Sequence, residues 1–251
     1  MAVEPGGIVT SRGAGFVTSR IKAPPRQLSP AARRAAMSKA IRARLLMRKN
    51  IKNASRNGLE AYVVPNFLTL QDCEDLIRLI DAGREPSGLL AAHADPDFRT
   101  SESCNLHPLD EPVKRVEARL AELMGIPPAF GETIQGQRYA VGQQFKPHHD
   151  YFHTDQPYWA EQERNGGQRT WTAMAFLNTP EKGGHTKFPD AKLEIVPAVR
   201  GLLVWNNVDD KGEPNPQSLH QGLPVEAGTK YVITKWFRER PWAVGSGPVE
   251  Y

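Results

Sequence analysis

The chain of 251 residues has only two cysteines, Cys73 and Cys104, and they do not form a CxxC pair. This scarcity argues against a disulfide framework and against a cysteine-based structural zinc site. We therefore expect a protein of a reducing compartment. Cys73 falls on an apolar helical face, which predicts a small thiol in the core.

Long apolar segments are also missing. No run approaches the roughly 18 to 20 apolar residues that a membrane helix requires. The N-terminal stretch MAVEPGGIVTSRGAGF lacks the uninterrupted apolar block of a secretory signal. We expect a soluble, cytoplasmic protein without a membrane partner.

Acidic residues are scarce near the N-terminus. Residues 1–59 contain 13 Lys and Arg but a single acid, Glu4, for a net charge of +12. The remaining residues carry 19 basic and 27 acidic side chains, a net charge of −8, which together make the total of +4. The composition therefore changes near residue 60. Residues 1–28, rich in Gly, Ser, Thr and Pro, are predicted to be a disordered basic tail.

Residues 29–59 are predicted to form a basic amphipathic helix. Ser29 is a suitable N-cap and Pro30 a suitable first helical residue. The apolar positions four residues apart are Met37, Ile41 and Leu45. Two interpretations stay open: a helix packed on the following domain, or a docking segment for nucleic acid, a ribosome or another acidic partner. An Arg-rich start is also typical of a mitochondrial transit peptide, although Glu4 weakens that interpretation.

Past residue 60 the pattern predicts a short strand in AYVVPNF and then two helices. Thr69 is expected to cap the first helix, which runs through Ala82. Its apolar stripe consists of Leu70, Cys73, Leu76, Ile77 and Ile80. The second helix is predicted over 111–124, with its stripe at Val113, Val116, Leu120 and Leu123. Both stripes have the spacing of a helix with one buried face.

After residue 130 the apolar runs become short and are separated by turn residues. The predicted strands are 133–140, 143–151, 170–177, 192–196, 201–205, 219–225 and 230–238. Many short strands of this kind favour an antiparallel sandwich or barrel. We predict an α+β, mainly β fold with the N-terminal helices outside one sheet.

The segment GQQFKPHHDYF contains two histidines followed by an aspartate. Successive strand residues point to opposite faces, so His148 and Asp150 can share one ion while His149 cannot. Among the other histidines, His220 in PQSLHQGLPV begins another strand-like run. Two histidines and a carboxylate form the facial triad of non-haem iron(II) oxygenases. A zinc hydrolase with a bound water uses the same ligand types and is an alternative.

Lys230 and two hydroxyl groups accompany these ligands. Lys230 enters the next strand after His220, where its ammonium is able to neutralise the far carboxylate of a chelating dicarboxylic acid. Tyr139 and Thr186 offer hydroxyls to the same carboxylate. A zinc hydrolase gives no reason for a lysine at this interval.

Three segments together resemble a known family: QGQRYAVGQQFKPHHDYF, RTWTAMAFLNTPEKGGHTKFP and GEPNPQSLHQGLPVEAGTKYVITKWFRERPW. They are similar to the prolyl 4-hydroxylase branch of the 2-oxoglutarate and iron(II) dependent dioxygenases. The resemblance covers about 60–242 and is dense over 132–240. It implies a double-stranded β-helix, or jelly roll, with a catalytic domain at 60–251 and a dioxygenase core at about 132–240.

The resemblance also implies residue roles. It implies that iron is bound by His148, Asp150 and His220. It implies that 2-oxoglutarate is bound by Tyr139, Thr186, Lys230 and Trp236. The substrate groove is implied to be lined by Arg99, Ser101 and Arg169. The triad together with Lys230 forms the implied catalytic set. Two positions depart from the pattern, because Phe145 and Phe176 stand where relatives often have an aromatic hydroxyl.

The implied activity is that of an oxidoreductase using iron(II), 2-oxoglutarate and oxygen, with ascorbate rescuing oxidised iron. It would hydroxylate proline in a peptide or protein and release succinate and carbon dioxide. Two long connections, 84–108 and 151–168, are expected to bound the substrate entrance. Other interpretations stay open: the same chemistry on a free amino acid or a lysyl residue, or a non-catalytic interaction module that binds 2-oxoglutarate.

Overall fold

The computed structural model describes residues 28–89 and 95–242. The tail predicted to be disordered, 1–28, lies outside the described residues except for its last position. The predicted helices and strands all begin within the described part of the chain.

Four α-helices lie in the described residues: α1 (Pro30–Leu46), α2 (Leu70–Gly83), α3 (Glu111–Met124) and α4 (Trp159–Arg164). Short 3₁₀ helices occupy Pro128–Phe130 and Pro216–Ser218. None of the helices in the described ranges has both the length and the apolar character needed to cross a membrane.

The strands are short and mostly follow α3. They are β1 (Lys52–Asn53), β2 (Ala61–Val64), β3 (Glu85–Pro86), β4 (Glu102–Asn105), β5 (Gln135–Tyr139), β6 (Phe145–His148), β7 (Arg169–Phe176), β8 (Lys182–Gly183), β9 (Thr186–Phe188), β10 (Leu193–Ile195), β11 (Leu202–Asn206), β12 (His220–Gly222), β13 (Val225–Ala227) and β14 (Lys230–Arg238).

Most strands belong to two antiparallel sheets. The larger sheet has the order β1-β2-β11-β7-β14-β5-β4-β3, and the smaller sheet has the order β10-β9-β12-β6. Strands β13 and β8 form a separate pair. The described residues confirm the predicted mainly β architecture with antiparallel strands.

Strand β7 shows how the larger sheet separates two hydrophobic cores. Trp171, Ala173 and Ala175 join the cluster that contains the buried faces of α1, α2 and α3. Met174 and Phe176 join a second cluster, which includes residues of the smaller sheet. Because strand side chains alternate between faces, the larger sheet is a middle layer with helices on one side and the smaller sheet on the other.

Helix α2 begins and ends close to its predicted bounds. The Thr69 hydroxyl accepts a hydrogen bond from the Asp72 backbone, and the Asp72 carboxylate accepts one from the Thr69 backbone, which completes a capping box. The predicted stripe is partly wrong, because Leu70 is 58% exposed and Ile77 is only half-buried. Leu70 is the first residue of the helix and lies off the line of its buried residues. Cys73 is buried in the core, as predicted.

Helix α3 confirms its predicted bounds and its predicted stripe. Its four apolar positions are all buried in the core between helices and sheet. The helix ends at Gly125, whose φ of 69° is left-handed. Glycine adopts this conformation without steric cost, so it is a common residue at this end of a helix.

Helix α1 is shorter than the predicted helix over 29–59. It ends at Leu46, and β1 follows at Lys52–Asn53 as an edge strand. The apolar spacing stops at Leu45, and Met47 is 85% exposed, so no buried contact supports another helical turn. Ile41 and Leu45 are buried in the same core as α2 and α3.

The basic side chains of α1 contact acidic groups of the domain that follows. Arg34 pairs with Glu239 and Glu213, and Arg42 pairs with Glu60 and Asp210. Arg44 donates to the carbonyl of Glu122 at the C-terminal end of α3, where the helix dipole favours a cation. Basic residues of α1 thus form ion pairs with acidic residues of the same chain. This arrangement favours the packed interpretation of the helix over a dock for an external acidic partner.

Several strand predictions need correction. The run 219–225 divides into β12 and β13, and the run 143–151 contains a strand only at Phe145–His148. Strands β4 and β9 and helix α4 were not predicted. Strand β4 reads ESCN and lacks apolar alternation, while β9 has only three residues, so neither provides a sequence pattern long enough to recognise.

The packing of α1 predicts unequal effects from two adjacent leucines. Leu45 is fully buried and Leu46 is 56% exposed. Leu45→Ala should lower the free energy of unfolding by about 2 to 5 kcal/mol, because it leaves a cavity in the core. Leu46→Ala should change it by less than about 0.5 kcal/mol. Urea denaturation followed by circular dichroism measures both, and equally small effects would contradict a helix that belongs to the core.

Candidate active site

A small pocket lies between the inner face of the larger sheet and the smaller sheet. The larger sheet contributes Gln137, Tyr139, Met174, Trp205, Lys230, Thr234 and Trp236, and the smaller sheet contributes Phe145, His148, Thr186, His220 and Gly222, with Asp150 just beyond β6. All seven residues predicted from sequence for metal and cosubstrate binding thus line one pocket.

Three potential metal ligands meet in this pocket. His148 ends β6 and His220 begins β12, and the antiparallel pairing of these strands sets the two residues opposite each other. Asp150 follows His148 by two positions. One ligand atom from each residue lies within 4.8 Å of the others. Two imidazoles and a carboxylate on one side of an ion are able to hold a transition metal and leave positions open.

Backbone carbonyls orient both imidazoles of this cluster. The Nδ1 atoms of His148 and His220 lie 2.8 Å from Lys146 O and 3.0 Å from Ser218 O. A carbonyl only accepts, so each Nδ1 carries the hydrogen and each Nε2 offers its lone pair to a metal. Burial lowers the pKa of His148 to about 3, so its ring is in the neutral form that binds metals.

His149 lies outside the cluster. Its ring stacks on Tyr151 with centroids 4.4 Å apart, and its Nε2 lies 3.2 Å from the carbonyl of Pro216. The alternation predicted from sequence thus separates His149 from its two neighbours, even though the strand ends before Asp150.

Asp150 is buried and is supported by two polar side chains. Its Oδ2 accepts a hydrogen bond of 2.7 Å from the Thr172 hydroxyl, which accepts one of 2.9 Å from the Asn207 amide. Burial opposes ionisation of the carboxyl, but the nearby His220 and His148 and the Thr172 hydrogen bond hold its pKa below the ordinary value. The carboxylate is therefore available to a cation.

Lys230 is a buried lysine that lines the same pocket as the three potential ligands. It is 2% exposed, and burial lowers its pKa to about 7. Among residues 28–89 and 95–242, no carboxylate forms an ion pair with its ammonium. The nearest aromatic rings are Tyr139, its cross-strand partner, and Phe176, whose centroids lie 5.3 Å and 5.9 Å from Nζ. A buried charge without a counterion is costly, so an anionic ligand fits this position.

Three further buried polar atoms of pocket-lining residues have no hydrogen-bond partner within the described chain. They are Thr186 Oγ1, Trp205 Nε1 and Trp236 Nε1. Buried polar groups are usually paired, so such atoms indicate a ligand that supplies the partner. Gly184 lets the backbone next to Thr186 pass close to Lys230, because a Cβ at this left-handed glycine would lie 3.2 Å from the Lys230 side chain.

The Tyr139 hydroxyl is already engaged inside the protein. It donates to Gln137 Oε1 over 3.1 Å, and burial raises its pKa. Gln137 donates in turn to Gln135, which also accepts from Arg99. Tyr139 therefore lies in the pocket as predicted, at the end of a polar chain that sequence reasoning did not find.

Arg99 and Ser101 lie beside the pocket. The Arg99 guanidinium lies over the ring of Phe145, 4.8 Å from its centroid, and donates to the Ser101 hydroxyl. The Phe145 ring in turn stacks on the His148 ring with centroids 3.6 Å apart. One consequence of phenylalanine at this position is thus an apolar cover over an imidazole of the potential metal site.

Arg169 is held by a carboxylate that the sequence analysis missed. Its Nε and Nη2 donate to the two oxygens of Glu132 at 2.6 Å each, and its guanidinium covers the Trp236 ring at 4.2 Å. Glu132 also pairs with Arg238. Burial opposes ionisation of Glu132, but the two guanidiniums keep its pKa below the ordinary value.

The missed residues share one property, which is that long-range pairing brings them to the site. Asn207, Thr172, Gln137 and Glu132 belong to different elements and have no common spacing. One signal was present for Thr172, because RTWTAMAF places two threonines on one face of an otherwise apolar buried strand. A buried polar residue in such a strand indicates a hydrogen-bond partner nearby.

The sequence matches the family model of the 2OG-Fe(II) oxygenase superfamily over residues 134–238. "Probable prolyl 4-hydroxylase 8" of Arabidopsis thaliana is 34% identical over 201 residues, which cover 70% of this chain and 68% of that protein. "Prolyl 4-hydroxylase 5" of Arabidopsis thaliana is 33% identical over 208 residues, which cover 73% and 70% of the two chains.

A solved structure is similar as well. The viral collagen prolyl hydroxylase of Paramecium Bursaria Chlorella virus-1, in its 2OG complex, superposes with a TM-score of 0.57 at 26% identity. The match covers 71% of this chain and 95% of that one.

The geometry predicts which histidine of the HHD motif binds a metal. His148→Ala and Asp150→Ala should each abolish stoichiometric binding of a divalent transition metal, because each removes one of three ligands. His149→Ala should retain it, since that ring faces Pro216. Equilibrium dialysis with metal analysis measures the difference. Retention by His148→Ala with loss in His149→Ala would contradict this arrangement.

Proposed function

Because the chain belongs to the prolyl 4-hydroxylase branch of the 2OG-Fe(II) oxygenase superfamily, we propose that it hydroxylates proline in a peptide or protein. The observation that carries this proposal is the pocket itself. The His148, Asp150 and His220 cluster shares it with the unpaired Lys230 ammonium. The ligand cluster fits a metal ion. The lysine fits the far carboxylate of a dicarboxylic acid whose other end binds that metal.

Iron(II) is assigned to His148, Asp150 and His220. When bound with 2-oxoglutarate and oxygen, it supplies the oxidising chemistry that hydroxylates an unactivated carbon, with succinate and carbon dioxide as co-products. The protein presents two imidazoles and one carboxylate, each oriented by a hydrogen bond. Ascorbate typically supports enzymes of this family.

2-Oxoglutarate is assigned to the part of the pocket lined by Lys230, Thr186, Tyr139 and Trp236. Lys230 supplies the charge for the far carboxylate, and the unpaired Thr186 hydroxyl is the best placed neutral donor. The Tyr139 hydroxyl contributes only if it breaks its hydrogen bond to Gln137. Trp236 Nε1 is a further donor without a partner among the described residues. These unsatisfied groups support the assignment, because one dianion would satisfy several of them.

The substrate is assigned to the side of the pocket that carries Arg99, Ser101 and Arg169. Relatives named as prolyl 4-hydroxylases support proline as the target. Glu132 occupies two of the three nitrogens of Arg169, so a substrate carbonyl would meet the third. Arg99 lies over Phe145, which is consistent with an extended peptide passing that ring.

We further propose that the two antiparallel sheets are the halves of a double-stranded β-helix. The order of β10, β9, β12 and β6 opposite β11, β7, β14 and β5 supports this arrangement. The domain is proposed to span 60–251 with its core at about 132–240. Helix α1 is part of the folded unit on this view, and the protein is proposed to act in the cytoplasm.

Two alternatives make different predictions. A free amino acid or a lysyl residue would leave the metal and cosubstrate assignments unchanged and alter only the product. A non-catalytic module would bind 2-oxoglutarate without consuming it. The intact ligand set favours an enzyme. Capture of a ribosome, nucleic acid or other acidic partner by residues 1–59 has no support in the contacts of α1.

Lys230 provides a pH-dependent prediction for 2-oxoglutarate binding. Its ligand-free pKa is about 7, and a bound anion raises it, so binding takes up a proton above pH 7. Affinity should therefore be full below pH 7 and fall by up to about tenfold per pH unit above it. Lys230→Met should weaken binding at least about tenfold at pH 6.5 and remove this pH dependence.

The matched control is Lys235→Met on the same strand. Lys235 is also buried, but it lies on the helix side of the sheet and pairs with Glu117. Isothermal titration calorimetry with metal-loaded protein measures the 2-oxoglutarate affinity of the unaltered protein and of the two variants. Unchanged affinity in Lys230→Met would refute the cosubstrate assignment.

The test of the proposed function is the product itself. Iron-loaded protein, 2-oxoglutarate and ascorbate are incubated with proline-rich peptides, and mass spectrometry should find one added oxygen on proline. Asp150→Ala should form no product. Oxygen on a lysyl residue or a free amino acid would support the first alternative, and 2-oxoglutarate binding without succinate would support the second.

A further inference from the structure

A buried chain of hydrogen bonds leads away from Asp150 to a residue outside the pocket. The Asn207 amide lies 2.9 Å from Thr172 Oγ1, and Thr172 Oγ1 lies 2.7 Å from Asp150 Oδ2. Asn207 and Thr172 are completely buried, and Asp150 is 5% exposed. No solvent competes for these bonds, so their direction follows from the chemistry of the three groups.

The carboxylate determines the direction of the whole chain. An ionised carboxylate only accepts, so the single hydrogen of the Thr172 hydroxyl points to Asp150. The Thr172 oxygen is then an acceptor for Asn207, which must present its NH₂ group. The Asn207 carbonyl Oδ1 is left buried without a partner in the described residues. An unpaired buried acceptor costs free energy. We take the hydrogen bond that the Asn207 NH₂ group donates to Thr172 to offset this cost.

We propose that Asn207 is a positioning residue for the metal-ligating carboxylate of Asp150, acting through Thr172. By donating to the Thr172 oxygen, Asn207 leaves that hydroxyl one orientation, in which it donates to Asp150. The carboxylate is thereby held in one rotamer, with its position fixed for metal binding. This inference rests on the proposed assignment of the metal to His148, Asp150 and His220.

The backbone holds Asn207 in place independently of its side chain. Its N–H donates to Thr170 O over 2.8 Å, and its carbonyl accepts from Asn215 N over 2.9 Å. An Asn207 variant thus keeps these anchors at the end of β11. Loss of the amide should remove the donor without releasing the chain.

The preceding residue is a natural control. Asn206 is as deeply buried as Asn207, but its side chain points the other way. Its amide donates to Glu60 over 3.0 Å, and its carbonyl accepts from Ser38 of α1 over 3.4 Å. Substitution of either asparagine removes buried hydrogen bonds, but only Asn207 is connected to Asp150.

The experiment measures cobalt(II) affinity by competition with a chelator, without cosubstrate or substrate. Asn207→Leu should weaken cobalt binding about threefold or more, and Thr172→Val should weaken it on the order of 10-fold to 100-fold, the range typical of partners of metal ligands. Asn206→Leu should leave the affinity unchanged, although it lowers the melting temperature as Asn207→Leu does. Thr172→Ser, which keeps the hydroxyl, should restore most of the affinity.

The double variant separates positioning from general destabilisation. If Asn207 acts only through Thr172, Asn207→Leu added to Thr172→Val should weaken cobalt binding no further. Additive losses, or equal losses in Asn206→Leu and Asn207→Leu, would overturn the inference. The visible absorption of bound cobalt gives a second measurement, which should change in Asn207→Leu and not in Asn206→Leu.

The same series tests the metal assignment on its own. If Asp150→Ala binds cobalt as well as the unaltered protein, the proposed metal site is wrong. If Asp150→Ala loses cobalt while Asn207→Leu binds it normally, the metal site holds and the positioning role of Asn207 fails.

Discussion

The pairing of β14 with two neighbours along its length is the constraint on which the site depends. This strand pairs with β5 on one side and β7 on the other, so its side chains are fixed alternately toward the two faces of the larger sheet. Ile233 and Phe237 join the core beneath the helices. Lys230, Thr234 and Trp236 face the pocket. A shift of one residue would exchange these two sets, so the hydrophobic core and the active site hold each other in register.

Local patterns predict much of this molecule. Helix α3 was predicted with its bounds because its apolar spacing is regular and Gly125 ends it, and His148 was separated from His149 by strand alternation alone. The resemblance of three segments to one family then added Trp236 to the predicted cosubstrate residues. These predictions depend on neighbours in sequence or on motifs that stay short and recognisable.

The parts that were missed depend on contacts between distant segments. Glu132 precedes β5, yet it holds Arg169 of β7 and Arg238 of β14. Asn207 follows β11, yet it reaches Asp150 through Thr172. Leu70 was predicted to be buried, but it lies at the start of its helix, off the line of the buried residues, and is 58% exposed. A spacing rule describes residues that are close in sequence. It does not predict contacts between distant segments that meet only after the sheets form.

The contacts of α1 have a consequence for the order in which the chain acquires its structure during synthesis. Arg34 pairs with Glu213 and Glu239, and the turn at Gly212 packs so closely on Ala31 that a Cβ there would overlap its carbonyl. These two partners of Arg34 lie 179 and 205 residues further along the chain. The other end of the helix has a nearer partner, because Arg44 contacts Glu122 of α3, 78 residues away. We therefore expect the Arg44 end of α1 to dock before the Arg34 end.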